Sequence, residues 1–508
     1  MNTIEYQKIV GQLLLVGFDG TDSSQIVNAI KQYNFGNIIL FKRNVQDTTQ
    51  LKILCQDIYN ACMQYNGIPP FIAIDQEGGT VRRIHDEVTK IPGHMALAAA
   101  SSYYKTAVWD ASHIMATELK NIGINLNLAP VVDINTNPYN PVIGVRAFGD
   151  DANIVSNRAR EFFVAHQQAG VMACYKHFCG HGSVAQDSHK GLPIVDKTLQ
   201  ELMQVEMIPY MQSPLPDSIM TAHILYQQID PENCATISTK IITNILRNQL
   251  NYQGLVLTDC FEMDALCRTL PIEHAAIQSL NAGCDIITIS HTLQKQILVQ
   301  KSIIQAVQDG TISSNTLQNK LDKIKRYKQT YCTQNSTANP IDRDNNAKIA
   351  AQISRASIVV NGTVGDLQNA VVIGIKNKAI STAEDKIDHR DFAQSVGNAL
   401  QLPYLSVEVD NIDTQIPQVL DFAKGKKVIL ALSNSHIDDT QFPLYDALIT
   451  GQNDNILVSM RSPFDHLSRP NPKCHICLFE YTTLSIQSCI EVLQTGKAYG
   501  TMPVSMGA

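Results

Sequence analysis

Short apolar runs bounded by turn residues recur through the first 300 or so positions. They are GQLLLVGF (11–18), GNIILF (36–41), FIAID (71–75), LNLAPVVDI (126–134), GVMACYKHF (170–178), SIMTAHI (218–224), GLVLTDC (254–260) and CDIITIS (284–290). Longer stretches with helical spacing of apolar positions lie between them, over 50–65, 104–122, 154–169, 199–211 and 238–250. A continuous apolar run is what a strand buried on both faces requires. Strand then helix, repeated about eight times, predicts a (β/α)8 TIM-like barrel. An open doubly wound sheet shares that alternation. The polar residues favour closure: Asp75, Asp133, Lys176, His177, His223 and Asp259 all sit at the C-terminal ends of runs. In a barrel those ends converge on one mouth.

A helical stretch over 315–331 ends this barrel domain, 1–331. The sequence CTQNSTANPIDRDNNAK (332–348) lacks periodicity and is rich in Asn, Thr and Asp, so it reads as a linker. The apolar rhythm then resumes with SIVVNG (357–362), AVVIGI (370–375), YLSVEV (404–409), KVILAL (427–432), NILVSM (455–460) and HICLFE (475–480). Helical stretches fall at 391–400 and 484–493. This predicts a smaller three-layer αβα sandwich over 349–508 with a mainly parallel sheet. Neither GxGxxG nor GxxxxGK[ST] occurs, so nucleotide binding is unsupported and no cofactor is expected.

Composition changes this picture little but narrows the partners. With 508 residues, 44% apolar and 17% charged, the chain is an ordinary globular protein with room for two cores. A net charge of -7 without a basic cluster argues against nucleic acid. The first twenty residues lack a cationic start, and Gly11 and Gln12 interrupt their apolar core, so neither a signal peptide nor a membrane span is expected. The first cysteine is Cys55, too late for lipid attachment, and the expectation is a cytoplasmic protein. Twelve cysteines without framework spacing suit buried thiols in a reducing compartment. Cys474 and Cys477 form a lone CxxC whose side chains would face opposite ways on a strand, which makes them structural. No pattern fixes an oligomeric state.

The densest chemistry is KHFCGHGSVAQDSHKGLP (176–193), beginning where an apolar strand should end. It holds His177, His181, His189 and Asp187 among three glycines. One residue separates Asp187 from His189, so both can project to one side of an extended loop. A carboxylate on one ring nitrogen fixes the imidazole tautomer and stabilises its protonated form. That makes His189 a candidate proton donor and acceptor with Asp187 as its orienter. A plain loop turn is the alternative. Metal ligation by His177, His181, Asp187 and His189 is another, though the spacing fits no standard pattern. Asp259 ends an apolar strand and could be a nucleophile or a metal ligand. Glu262 and Asp264 follow where a helix start favours acids without any catalytic role. Asp75, Arg83 and Arg146 suit a hydroxyl-rich or anionic ligand, while Arg82 reads as a surface ion-pair partner.

The ordered set IAIDQEGGTVRR, NLAPVVDI, GVRAFGDD, KHF-GHG…DSH-GLP, IMTAHI and VLTDCFEMDAL resembles glycoside hydrolase family 3, in its β-N-acetylglucosaminidase (β-N-acetylhexosaminidase) branch. The likeness runs from about Leu14 to Ser290. MRSPFDH (460–466) and YGTMPVS (499–505) resemble more loosely the C-terminal αβα domain of two-domain members. The resemblance implies a retaining exo-hydrolase that removes non-reducing terminal β-linked GlcNAc from muropeptides or chitin fragments. It implies Asp259 as nucleophile, Asp187 and His189 as acid/base dyad, and Asp75, Arg83, Arg146, Lys176 and His177 around the sugar, with His223 a further candidate for substrate binding. It leaves His181 to shape the turn. Two positions depart from the family pattern: Cys179 stands where proline is usual, and Thr80 where arginine is usual. An imidazole acid/base repels anions less than a carboxylate, so phosphorolysis is a minor alternative. A β-glucosidase-type specificity, a metal-dependent hydrolase and a non-catalytic sugar-binding protein are the others.

Overall fold

The computed structural model describes residues 3–185, 191–267, 270–333, 341–376, 391–451 and 454–506. The first sheet is a closed barrel of eight parallel strands. In chain order they are β1 (Leu14–Val16), β2 (Asn37–Leu40), β3 (Phe71–Ile74), β4 (Leu126–Asn127), β5 (Met172–Phe178), β6 (Ser218–Thr221), β7 (Leu255–Cys260) and β8 (Ile286–Ile289). Each pairs with its sequence neighbour, and β1 closes the ring on β8 with Leu14 opposite Ile287. The strands are almost wholly buried, which is why they read as unbroken apolar runs. Only Leu126–Asn127 of the run at 126–134 is regular strand. The chain beyond it is irregular around Pro130 but stays against β5 through a bridge between Val131 and Lys176.

Helix boundaries follow local chemistry. Asp47 accepts from Gln50 N and Asp151 from Asn153 N and Ile154 N, capping the helices Thr48–Asn66 and Ala152–Gln168. Thr198 and Glu201 form a capping box at the start of Leu199–Gln204. That helix ends five residues after it begins, so the stretch read as one helix to 211 is a short helix plus a separate turn at Ile208–Tyr210.

Asp342 caps a helix spanning Arg343–Ser357, so the last positions of the stretch read as linker are helical. Ala350, Ile353 and Ala356 of this helix belong to the barrel's core. The second sheet contains β9 (Val359–Asn361), β10 (Ala370–Ile375), β11 (Tyr404–Val407), β12 (Lys427–Leu432), β13 (Ile456–Ser459) and β14 (Cys474–Cys477). Its order is β9-β14-β13-β12-β10-β11, parallel except for β9, which runs antiparallel at the edge. Helices such as Phe392–Leu400 and Thr483–Thr495 complete the sandwich. A third apolar cluster joins the two domains, with Met95, Ala96 and Ala99 packed against Val359, Cys477, Phe479 and Val504. Cys474 faces the second domain's own core and Cys477 this junction, and both are free thiols. Among the described residues, no helix is long and apolar enough to cross a membrane.

Candidate active site

The C-terminal ends of the barrel strands surround a cavity of about 540 Å³. Asp75, Arg83, Arg146, Lys176, His177 and Asp259 all line it, although their positions span 185 residues of chain, from 75 to 259. Convergence of strand ends is what a closed barrel provides.

At its base lies a charge cluster that turns on Glu77. Its carboxylate takes Arg146 through two bonds, Nη2 to Oε1 at 2.8 Å and Nε to Oε2 at 3.0 Å. Lys176 Nζ stands 2.7 Å from the same Oε1 and 2.8 Å from Asp75 Oδ1. Arg83 lies further from Asp75, at 3.8 Å. Burial alone would raise the Glu77 carboxyl, but the Arg146 guanidinium and the Lys176 ammonium outweigh it and hold the group well below the usual carboxylate range. Burial would likewise lower Lys176, and the carboxylates of Asp75 and Glu77 reverse that, so the ammonium is held above its ordinary value. Arg146 is raised by Glu77 in the same way. Glu77 is central here yet was missed by sequence reasoning. Its only signal was a carboxylate two positions beyond Asp75, inside an EGG that also reads as turn chemistry.

A second cluster orients the end of β5. Asp133, fully buried, accepts from the backbone N of His177 at 3.1 Å and of His181 at 2.6 Å, and sits 2.8 Å from His177 Nδ1. Burial would raise the Asp133 carboxyl, but His177 and His181 hold it below its ordinary value. Because Asp133 holds Nδ1, the other ring nitrogen of His177 is left to address the cavity. His181 lines the cavity too, which goes beyond the turn-shaping role expected of it; burial and the neighbouring His177 push its pKa down to about 4. Gly182 is required at this turn, because a Cβ there would stand 1.7 Å from the Ile134 carbonyl oxygen.

Asp259 faces the cavity from the end of β7 with its Oδ1 accepting from Cys260 N at 2.7 Å. The Cys260 thiol beside it is pushed up to about 11 by burial and stays protonated. His223, expected near the substrate, is only 1% exposed and is not part of the cavity wall. Its Nε2 donates to the Cys260 carbonyl at 3.0 Å and its Nδ1 meets Thr236 Oγ1 at 2.8 Å. That bracing of the Asp259 strand is a tertiary contact that no local pattern signals. Arg82 is buried rather than on the surface, and lines a separate small cavity with Gln76 and Glu118. Glu262 and Asp264 reach the cavity rim, where Glu262 accepts from His291 N at 2.6 Å. Asp187 and His189 lie outside the described residues, and so does half of the candidate metal set. Among the described residues, no group of three or more His, Cys, Asp and Glu is arranged to hold a metal ion.

The arrangement presents carboxylates and cations around one volume, with Asp259 among the residues that line it. Such a wall suits a neutral molecule bearing several hydroxyls. Comparison with known proteins agrees in kind. The profile of the Glycosyl hydrolase family 3 N terminal domain matches residues 6–327. Beta-hexosaminidase A of Pseudoalteromonas piscicida is 34% identical over 331 residues, covering 60% of this chain and 55% of that protein. Beta-hexosaminidase of Alkalilimnicola ehrlichii is 36% identical over 284 residues, covering 54% of this chain and 80% of that protein. The match thus spans about half the length of the first relative and most of the second. The solved structure of a glycoside hydrolase family 3 beta-N-acetylglucosaminidase from a Paenibacillus species superposes with a TM-score of 0.90 at 30% identity, covering 98% of each chain.

Proposed function

The chain belongs to glycoside hydrolase family 3, and on that premise we propose that it removes non-reducing terminal β-linked GlcNAc with retention of configuration. The observation that carries this reading is the shared cavity: Asp259 faces the same volume as Asp75, Arg83, Arg146, Lys176 and His177. The names of the relatives, beta-hexosaminidase and beta-N-acetylglucosaminidase, support the choice of sugar.

In the proposed first step an Asp259 oxygen attacks the anomeric carbon as the bond to the leaving oxygen breaks. The imidazolium of His189, oriented by Asp187, gives that oxygen its proton. In the second step His189 takes a proton from water, whose oxygen attacks the same carbon and frees Asp259. Asp75 accepts from sugar hydroxyls, Lys176 and Arg83 donate to them, and His177, whose Nδ1 proton goes to Asp133, accepts from one through Nε2. Glu77 fixes Arg146 and Lys176, so the donors meet the sugar without rearranging. The proposed natural substrates are GlcNAc-terminated fragments of peptidoglycan or chitin.

The test is a panel of chromogenic aryl β-glycosides of GlcNAc, GalNAc, glucose and xylose. Preferential turnover of the GlcNAc glycoside is expected. Turnover of the glucoside alone, or of none, would reject the reading.

A further inference from the structure

We propose that the second domain is a working part of the sugar site and acts on it through Glu480, a positioning residue. This rests on the reading that Glu77, Arg146 and Lys176 hold the sugar.

Glu480 follows β14 and is 2% exposed. Its Oε1 accepts from Thr482 Oγ1 at 2.7 Å within its own domain. Its Oε2 reaches across the junction and accepts from Gly93 N at 2.6 Å, a residue 387 positions away. The barrel leaves a slot for this carboxylate. A Cβ on Gly79, whose φ is +56°, would stand 2.9 Å from Glu480 Oε2 and 2.8 Å from Gly93 Cα.

The clamped segment, 91–94, supports both partners of the central ion pair. On one side, Gly79 N donates to Ile91 O at 2.9 Å, and a Cβ on Gly78 would lie 2.7 Å from Pro92 O. The turn carrying Glu77 therefore rests directly on this segment. On the other side, His94 Nδ1 donates to the Arg146 carbonyl at 2.6 Å. Glu480 thus holds a stretch of backbone against which Glu77 and Arg146 are both set. The helix that begins there, His94–Ala100, buries Met95, Ala96 and Ala99 against the second domain, so the clamp is enclosed. Removing the carboxylate strands the Gly93 N–H and frees 91–94 to shift, and a small displacement of positioning groups is enough to weaken a site.

Wild type, E480A, E480D and E480Q are compared on whichever aryl β-glycoside of the panel the wild type hydrolyses, so a failed choice of sugar and a failed clamp give different results. E480A should raise KM about tenfold, the worth of one lost charge-assisted bond, with kcat within about threefold of wild type. E480Q should restore KM to within about twofold, because its amide oxygen accepts from Gly93 N and its amide nitrogen can donate to Thr482 Oγ1. Mere gluing of domains predicts the opposite split: less active enzyme, a lower apparent kcat and an unchanged KM. That result overturns the proposal. Where E480A does not fold, E480D keeps the charge but draws it back by a methylene, and should reproduce the KM rise. Wild-type KM in E480D equally overturns the proposal.

Discussion

Replacing Glu77 with Gln separates what the inner charges do for the fold from what they do for the ligand. The Glu77 side chain is 2% exposed and joined to Arg146 at 2.8 Å and Lys176 at 2.7 Å. A cation–carboxylate pair some 4 Å apart gains about 4 kcal/mol at an effective dielectric near 20, and desolvation cancels much of it. Neutralising one partner leaves the cations buried and uncompensated, which costs about 3–5 kcal/mol. With an unfolding entropy of about 0.7 kcal/mol per degree for a barrel of roughly 320 residues, Tm should fall by about 4–7 °C. Asp75→Asn should behave differently. Asp75 opens 16% of its side chain to the cavity, and Lys176 keeps Glu77 when Asp75 is neutralised. Tm should then fall by only about 1–2 °C. If Asp75 accepts from a sugar hydroxyl, kcat/KM should fall about 100-fold. Scanning calorimetry and initial rates on the same preparations decide the matter. The pH dependence carries a sign: the folded Glu77 carboxyl is held below its ordinary 4.5, so its stabilisation is complete above that value and fades as pH falls through the folded pKa. The Tm gap between wild type and Glu77→Gln should therefore close toward acid pH. A larger Tm loss in Asp75→Asn than in Glu77→Gln, or a gap that widens on acidification, would refute the reasoning.

Asp259→Asn should lower kcat by at least about 10⁴-fold on every substrate while leaving Tm within about 1 °C, because the amide cannot form the glycosyl-enzyme. His189→Ala should spare activated aryl substrates in the first step and damage alkyl ones, and equal loss on both would count against the acid role. His223→Phe removes the brace on the Cys260 carbonyl and should lower kcat about tenfold at nearly constant KM, whereas a substrate contact would show mainly in KM. Reaction in phosphate buffer is expected to yield free sugar, and sugar 1-phosphate among the products would instead support phosphorolysis.

The barrel was legible because its strands are buried on both faces, and such strands stand out as apolar runs whatever their neighbours. All eight strands fall inside the runs named from the sequence. The inner strands of the second sheet were legible for the same reason, while the edge strands β9 and β11 are partly exposed and the direction of β9 depends on how it meets β14. Residues lining the cavity were legible where chemistry coincides with a strand end, as at Asp75, Lys176, His177 and Asp259. Glu77 was not, because its partner Arg146 lies 69 positions away, beyond the next strand, and only the pairing of β3 with β4 brings them together. His223 shows the converse: a polar strand end that points into a packed layer, toward Thr236 and Cys260, rather than into the mouth. Glu480 had no legible signal, since its meaning depends on the docking of one domain on the other.

Buried ion pairs contribute little net stability, because desolvation offsets most of the attraction. The cluster of Asp75, Glu77, Arg146 and Lys176 is therefore poorly explained as a device for holding the barrel together. It is better explained by what the ligand needs. A sugar offers only neutral hydroxyls, each a modest partner that repays little for rearranging a solvated lysine or arginine. Donors already locked by Glu77 lose no rotamer freedom when the sugar arrives. Locking them requires that Glu77 itself not move, and its turn contains Gly78 and Gly79, both at positive φ. The turn is closed by the backbone bonds of Glu77 and Gly78 to Val81, but its glycines offer no side chains for packing, so its placement against the barrel relies on neighbouring backbone. The segment 91–94 supplies that support, and Glu480 holds this segment in place. On this argument the glycines that let the segment 91–94 and Glu480 approach the turn also make the barrel depend on the second domain, so the isolated barrel should bind the sugar more weakly than the whole chain.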